Sequence, residues 1–374
     1  MENKIDKSIP RAILIDVVPP MYPKAEIADR LLEAESLVKT YGGLVVVKAM
    51  QRRGAPDYRT FIGSGKIEEI RKLAKELGAT HLIINCQVKF RQIYALGEEL
   101  RKDGIEVWDR IDLILKIFAK HARTTEAKLE IELASIRHMG PRIYGMGMEL
   151  SRQGGGIGTS GVGETNTEIM KRHLKEKSRL LLGQISKYER VRETHRAARK
   201  RQGFQTVSIV GYTNAGKTSL LNSLTKRKEY AANELFATLD TRVGKMWLAD
   251  AGKEILVSDT IGFIQDLPPE LLKAFTSTLS EAVDADILIH VIDAADSKRD
   301  MKIEVVEDIL ARLGLENTPK IYVYNKIDIA RKRFGKTEIL EEFAEFDPQF
   351  VSAHKKTGLE ELKSAIAKKI LGIK

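Results

Sequence analysis

Nine consecutive residues, GYTNAGKTS from Gly211 to Ser219, have the composition of a phosphate cradle. They fit the spacing G-x-x-x-x-G-K-[ST] as Gly211, Gly216, Lys217 and Thr218, directly after the apolar run VSIV and before the helical run SLLNSL. Glycines let successive backbone N–H groups turn inward toward a phosphate, and the positive end of the following helix adds to the attraction. The lysine ammonium reaches two phosphates at once, and a threonine hydroxyl is a hard oxygen suited to Mg2+. This is the chemistry of a nucleoside triphosphate, and the intervening Tyr212, Thr213, Asn214 and Ala215 are expected to line it as well.

A second stretch chooses the base. NKID, or Asn325, Lys326, Ile327 and Asp328, closes the apolar run IYVY. A carboxylate accepts from guanine N1–H and N2–H2 together. Adenine has no such donor pair and would leave Asp328 desolvated without a partner, a strong basis for rejection. Asn325 is expected to hold the loop and face N7. In SAHKKTG, the segment Ser352, Ala353, His354 is expected to bring the Ala353 backbone N–H to guanine O6.

Two further stretches sense the terminal phosphate. LFATLDT supplies Phe236, Ala237, Thr238, Leu239 and Asp240. Thr238 is read there as the first switch and, with Thr218, as a Mg2+-side hydroxyl; Thr241 is the competing candidate. VSDTIGFI supplies Asp259, Thr260, Ile261 and Gly262. Asp259 is expected to act on the metal through water, and the Gly262 N–H to feel the third phosphate. The residue after Gly262 is commonly a glutamine that orients the attacking water in such enzymes. Here it is Phe263, whose side chain can neither donate nor accept a hydrogen bond, so unassisted hydrolysis is expected to be slow.

These loops need strands to carry them. From Thr206 onward strand patterns at VSIVG, KMWLAD, EILVSD, DILIHVIDA, IYVYN and QFVSA alternate with helices, predicting a doubly wound α/β domain over residues 203–374. The first stretch, residues 1–108, repeats the rhythm on a smaller scale. RAILIDVV, LVVVKAM and HLIIN are strands separated by helical patterns, which predicts a small parallel sheet covered by helices. Between the two, residues 109–202 read as a long α-helical hairpin. One helix runs from about Asp109 to Met139 and a second from about Thr167 to Arg201, with a glycine-rich loop at about 140–165. The second helix carries twelve Lys and Arg, among them Lys171, Lys175, Arg179, Lys187 and Arg190. Such a run is an ordinary solvated face or a phosphate-backbone contact, and the excess of one sign raises the second reading. GSGK at Gly63–Lys66 lacks phosphate-loop spacing and reads as a strand-to-helix turn. Glu164 reads as a cap on the second helix.

The bulk numbers agree with a globular, non-membrane chain. Of 374 residues, 43% are hydrophobic and 30% charged, and no apolar run reaches the ~20 residues needed to span a bilayer. A lone cysteine, Cys86, rules out an intrachain disulfide and any Cys-built metal site, and a reducing cytoplasmic setting is expected. The net charge of +10 suits a polyanionic partner.

With the phosphate loop, FATLD, DTIGF, NKID and SAH in place, the chain resembles the HflX family of GTPases, which lies close to the Obg family. SRQGGGIGTSGVGET, LPPELLKAFTSTLSEA and the early FIGSGK sharpen the match. The family's RGPGET appears here as TSGVGET, without the arginine, and a C-terminal extension beyond the last G-domain helix is not expected. The resemblance implies a GTPase that binds the large ribosomal subunit and its rRNA, acts in ribosome splitting, rescue or translation control, is stimulated by the ribosome, and works as a monomer in the cytoplasm. An Obg-like switch whose hydrolysis only resets binding is the alternative. Related GTPases coordinate K+ from the position of Asn214, so the expected catalytic set is Lys217, Thr238, Gly262 and Asn214.

Overall fold

The computed structural model describes residues 9–153, 166–225, 235–236, 242–265, 271, 276–333 and 348–373. The chain divides into two compact units: Met1–Lys120 with Leu129–Ile185, and His121–Lys128 with Ser186–Lys374.

The first unit is built on four parallel strands, β1 (Arg11–Val18), β2 (Leu44–Arg52), β3 (His81–Ile84) and β4 (Glu106–Asp109), in the order β2-β1-β3-β4. The last, EVWD, extends the expected three. Ala12 to Ile15 and Leu82 to Ile84 are buried without alternation, as strands covered on both faces must be. The covering helices are α1 (Lys24–Arg30), α2 (Leu32–Tyr41), α3 (Ser64–Leu77) and α4 (Phe90–Arg101). Ile67, Ile70 and Ala74 of α3, and Ile93, Leu96 and Leu100 of α4, fall at helical spacing and pack into the sheet core with Ile13, Ile15, Leu82 and Ile84. GSGK is the expected turn, with Gly63 directly preceding α3.

The helical region departs from expectation in two places. α5 (Arg110–His121) stops where Thr124 caps a new helix, its Oγ1 accepting the Ala127 N–H at 3.2 Å. α6 (Thr125–Gln153) then runs on through Gly140 and Pro141. The glycine-rich loop therefore starts later than residue 140, because propagation of an established helix outweighs a few poor formers. Residues 154–165, including Glu164, lie outside the described residues. α7 (Asn166–Arg201) pairs antiparallel with α6, with Leu133 packed on Leu181 and Ile185 and Glu132 bridged to Lys177 at 2.6 Å. His138, whose sequence spacing suggests no cluster, lies 3.4 Å from Asp109 and 3.2 Å from Asp112.

Among its described residues the second unit holds six strands, β5 (Thr206–Gly211), β6 (Arg242–Leu248), β7 (Lys253–Asp259), β8 (Ile287–Asp293), β9 (Lys320–Asn325) and β10 (Gln349–Phe350), in the order β10-β9-β8-β5-β7-β6. All pair parallel except β6, which runs antiparallel to β7 at the edge. Its helices are α8 (Lys217–Thr225), α9 (Thr276–Val283), α10 (Arg299–Arg312), α11 (Ile327–Arg333) and α12 (Leu359–Leu371). The sheet core joins Val207, Ile209, Ile255, Val257, Ile289, Val291 and Val323 to Leu220, Leu224, Leu362 and Ile366 from α8 and α12. This is the doubly wound domain the sequence predicts. Among the described residues no helix is long and apolar enough to cross a membrane.

Candidate functional site

Four loops leave the carboxyl ends of β5, β7, β9 and β10 together, where an open α/β sheet leaves its crevice. β5 ends at Gly211 and α8 starts at Lys217, so the phosphate loop is a strand-to-helix turn. Gly216 takes φ +93°, and a Cβ there would sit 2.3 Å from Asn325 Nδ2. Only glycine fits. Asn214 takes φ +64°, a left-handed conformation asparagine tolerates, and its carbonyl accepts from Lys326 Nζ at 2.7 Å. Lys326 also pairs with Asp293 Oδ2 at 2.7 Å. Nothing in the local sequence spacing of Asp293, at the end of β8, marks it for this role.

Lys217 is buried, its Nζ donating to the carbonyls of Gly211 at 3.1 Å and Tyr212 at 2.9 Å. Burial pushes its pKa down to about 8, against the opposing pull of Asp259. Thr218 Oγ1 donates to Asp259 Oδ2 at 2.7 Å, and Asp259 is fully buried. This juxtaposes a hydroxyl and a carboxylate, both hard oxygen donors, beside an ammonium.

The DTIGF segment is sewn to the phosphate loop. Phe263 N–H donates to the Gly211 carbonyl at 3.1 Å, and Thr213 N–H to the Phe263 carbonyl at 2.8 Å. Gly262 is thereby pressed so close that an added Cβ would lie 2.7 Å from Thr213 Cγ2 and 3.0 Å from Lys217 Nζ. Its backbone thus lies beside the ammonium. The Phe263 side chain is buried, at 1% exposure. Thr260 and Ile261 are buried, the Thr260 hydroxyl donating to the Ile209 carbonyl at 2.8 Å.

Around the base, Asn325 is the hub. Its Nδ2 donates to the Ala215 carbonyl and its Oδ1 accepts the Ala353 N–H, both at 3.0 Å. The Ala353 N–H expected at guanine O6 is thus engaged by Asn325 in this structure. Ser352 Oγ donates to Asp328 Oδ1 at 2.7 Å, orienting that carboxylate. Ile327 is buried and His354 exposed. Of the first-switch residues, Phe236 is buried with φ +56°, whereas Ala237, Thr238, Leu239, Asp240 and the competing Thr241 lie outside the described residues.

Comparison with known proteins agrees with this geometry. Three family models match in succession: "GTP-binding GTPase N-terminal" over residues 28–119, "GTP-binding GTPase Middle Region" over 121–199 and "50S ribosome-binding GTPase" over 206–326. GTPase HflX of Caldanaerobacter subterraneus subsp. tengcongensis is 40% identical over 360 residues, which span 96% of this chain and 80% of that protein. The chain belongs to the HflX family. GTPase HflX of Escherichia coli is 40% identical over 299 residues, 80% of this chain and 69% of the relative. Among solved structures, a GTP-binding protein of Sulfolobus solfataricus in complex with GDP superposes with a TM-score of 0.51 at 27% identity, covering 97% of this chain and 100% of that one. The "SsGBP and GDP complex" gives 0.54 at 29% identity, covering 97% and 99%. This HflX protein is a P-loop GTPase that binds and hydrolyses GTP, and the resemblance drawn from its motifs holds over nearly its whole length.

Proposed function

We propose that this HflX protein is a ribosome-linked GTPase: it binds the large ribosomal subunit through rRNA, and that contact stimulates an otherwise slow hydrolysis. The observation that carries this is the surface of α7. Only Leu174, Leu181 and Ile185 are buried along its described length, and Leu181 and Ile185 pack on Leu133 of α6. Lys171, Arg172, Lys175, Arg179, Lys187 and Arg190 are exposed. Arg192, Arg196 and Arg199 are instead tied to Glu126, Asp284 and Glu281, so they serve the fold. Glu168, Glu176, Glu189 and Glu193 are exposed as well, but the basic residues outnumber them, and a solvated helix with that excess of positive charge suits a phosphate backbone, read by charge rather than base sequence. The family description "50S ribosome-binding GTPase" that matches residues 206–326 supports the same partner.

In the site, Lys217 contacts the β- and γ-phosphates, Gly262 offers its N–H to the γ-phosphate, and Asp328 accepts from the guanine. Ala353 shares its N–H between Asn325 and O6 as a three-centre donor. The Thr218 hydroxyl and Asp259 carboxylate suit Mg2+, with Thr238 joining from the first switch. Bound there, Mg2+ would supply positive charge to offset that of the phosphates. Asn214 is the residue for a K+ ion. The buried Phe263 leaves no side chain to orient water, which supports slow unassisted turnover and a ribosome-supplied group. Splitting or rescue of ribosomes in the cytoplasm by a monomer is the role that fits this chemistry. Under the alternative, hydrolysis only resets a binding switch.

The experiment is sedimentation with large subunits in GDP and in a non-hydrolysable GTP analogue, with turnover measured in parallel. The reading expects GTP-state binding and at least tenfold stimulation. Replacing Lys175, Arg179, Lys187 and Arg190 by alanine should weaken binding and flatten its salt dependence by nearly one unit of log–log slope per lost phosphate contact. Equal turnover with and without subunits rejects it.

A further inference from the structure

We propose that Tyr212 is a positioning residue for GTP hydrolysis: its hydroxyl holds the segment after Gly262 against the phosphate loop, and the chemical step, not nucleotide binding, depends on that hold. This rests on the assignment of Gly262 to the γ-phosphate made above.

The phosphate loop holds its ligand with backbone N–H groups, so a large aromatic side chain at its second residue is not required for that task. Tyr212 is nonetheless 94% buried, at 6% exposure, and its Oη accepts the N–H of Gln265 at 2.9 Å. Two backbone hydrogen bonds already join Phe263 to Gly211 and Thr213 and make Tyr212 and Phe263 bridge partners. Any residue at position 212 could form the bridge. The hydroxyl at the end of the ring adds a third point. Phe263 and Ile264 are buried, at 1% and 0%, while Gln265 is exposed. The tyrosine bond therefore fastens the chain where it leaves the core.

The ring is itself held. Lys302 Nζ of α10 lies 4.9 Å from its centroid and pairs with Asp296. A cation over a phenol face contributes attraction and fixes the ring plane. The path from α10 to Gly262 is thus Lys302, the Tyr212 ring, its hydroxyl and the Gln265 amide. Gly262 stands three residues before that amide, with Thr213 and Lys217 at contact distance. Small displacements of reacting groups in an enzyme site cost large factors in rate. Binding of the β-phosphate, by contrast, draws on Gly216, Lys217 and Thr218, whereas the hydroxyl accepts from the Gln265 N–H.

The test is Tyr212→Phe, which removes one oxygen and keeps the ring and its cation. Dissociation constants for GDP and for a non-hydrolysable GTP analogue should stay within about twofold of wild type, because the loop backbone is unchanged. Single-turnover hydrolysis at saturating GTP should fall roughly fivefold to tenfold, the scale of one hydrogen bond. Amide exchange at Gln265 should quicken by a similar factor. Lys302→Gln should reproduce part of the rate loss, about twofold. Wild-type turnover in Tyr212→Phe, unchanged protection of Gln265, or equal losses in rate and affinity would each overturn the proposal. Lys217→Ala separates the two levels. If it abolishes nucleotide binding while Tyr212→Phe changes nothing, the hold is wrong and the site stands; if it binds nucleotide normally, the site assignment is wrong.

Discussion

Asn325 Oδ1 accepts the backbone N–H of Ala353, and the same side chain donates to the carbonyl of Ala215, each at 3.0 Å. One 2%-exposed amide therefore ties the phosphate loop to the base loop across 110 and 28 residues of sequence. A buried amide is suited to this because it donates and accepts at once.

Asn325→Ala should unfasten both loops. It strands a buried N–H and a buried C=O, a cost of about 2 kcal/mol. The expected result is a melting midpoint lower by a few degrees and a GDP affinity reduced at least a hundredfold, read by differential scanning fluorimetry and calorimetry. An affinity within threefold of wild type would show that the tie is dispensable.

Lys217 predicts a pH dependence. Its nucleotide-free pKa is pushed down to about 8 by burial. A phosphate beside the ammonium raises it again, since an opposite charge favours the charged form. Binding must therefore take up a proton when the free enzyme has lost it, above pH 8, and none from this residue well below pH 7. GDP affinity should fall as pH rises from 8 toward 10. Calorimetry near pH 9 in buffers of different ionisation enthalpy should find uptake approaching one proton.

Phe263→Gln is the obvious attempt to restore a water-orienting glutamine, and it should fail. The side chain at 263 is 1% exposed and faces the core, because its backbone is paired on both sides to Gly211 and Thr213. A glutamine there buries an amide and vacates an aromatic volume, destabilising the domain by about 3 kcal/mol. Turnover should not rise above wild type in a steady-state GTPase assay. A faster enzyme would mean that position 263 can reach the γ-phosphate.

Glu307 of α10 predicts behaviour in acid. It meets His290 Nδ1 at 3.0 Å, the Tyr322 hydroxyl at 3.2 Å and the Lys320 ammonium. Against the upward push of burial, His290 and Lys320 hold it down at about 2. A depressed carboxylate contributes stability above its ordinary value of about 4.5 and loses it as pH falls toward 2. Glu307→Gln should cost about 1–2 kcal/mol at neutral pH, on the scale of a charge-assisted hydrogen bond. The gap to wild type in chemical denaturation should close between pH 4.5 and 2. A gap independent of pH would show that packing, not charge, is what the glutamate contributes.

Much of this protein was written in contiguous residues. Gly211 to Thr218 and Asn325 to Asp328 carry their chemistry within one turn or strand end, so spacing alone points to a guanine-nucleotide site, and apolar periodicity points to both sheets. Backbone geometry makes such loops local objects, which is why they are legible without a fold. What only tertiary structure decided are the relations between them. The extent of α6 through Gly140, the retreat of Phe263 into the core, Asp293 beneath Lys326, and the meeting of Tyr212 with Gln265 each depend on groups that the chain brings together from far apart. Long-range hydrogen bonds have no period in sequence. They follow from how strands order in a sheet, where β5 lies between β7 and β8 rather than beside β6, the next strand in the chain.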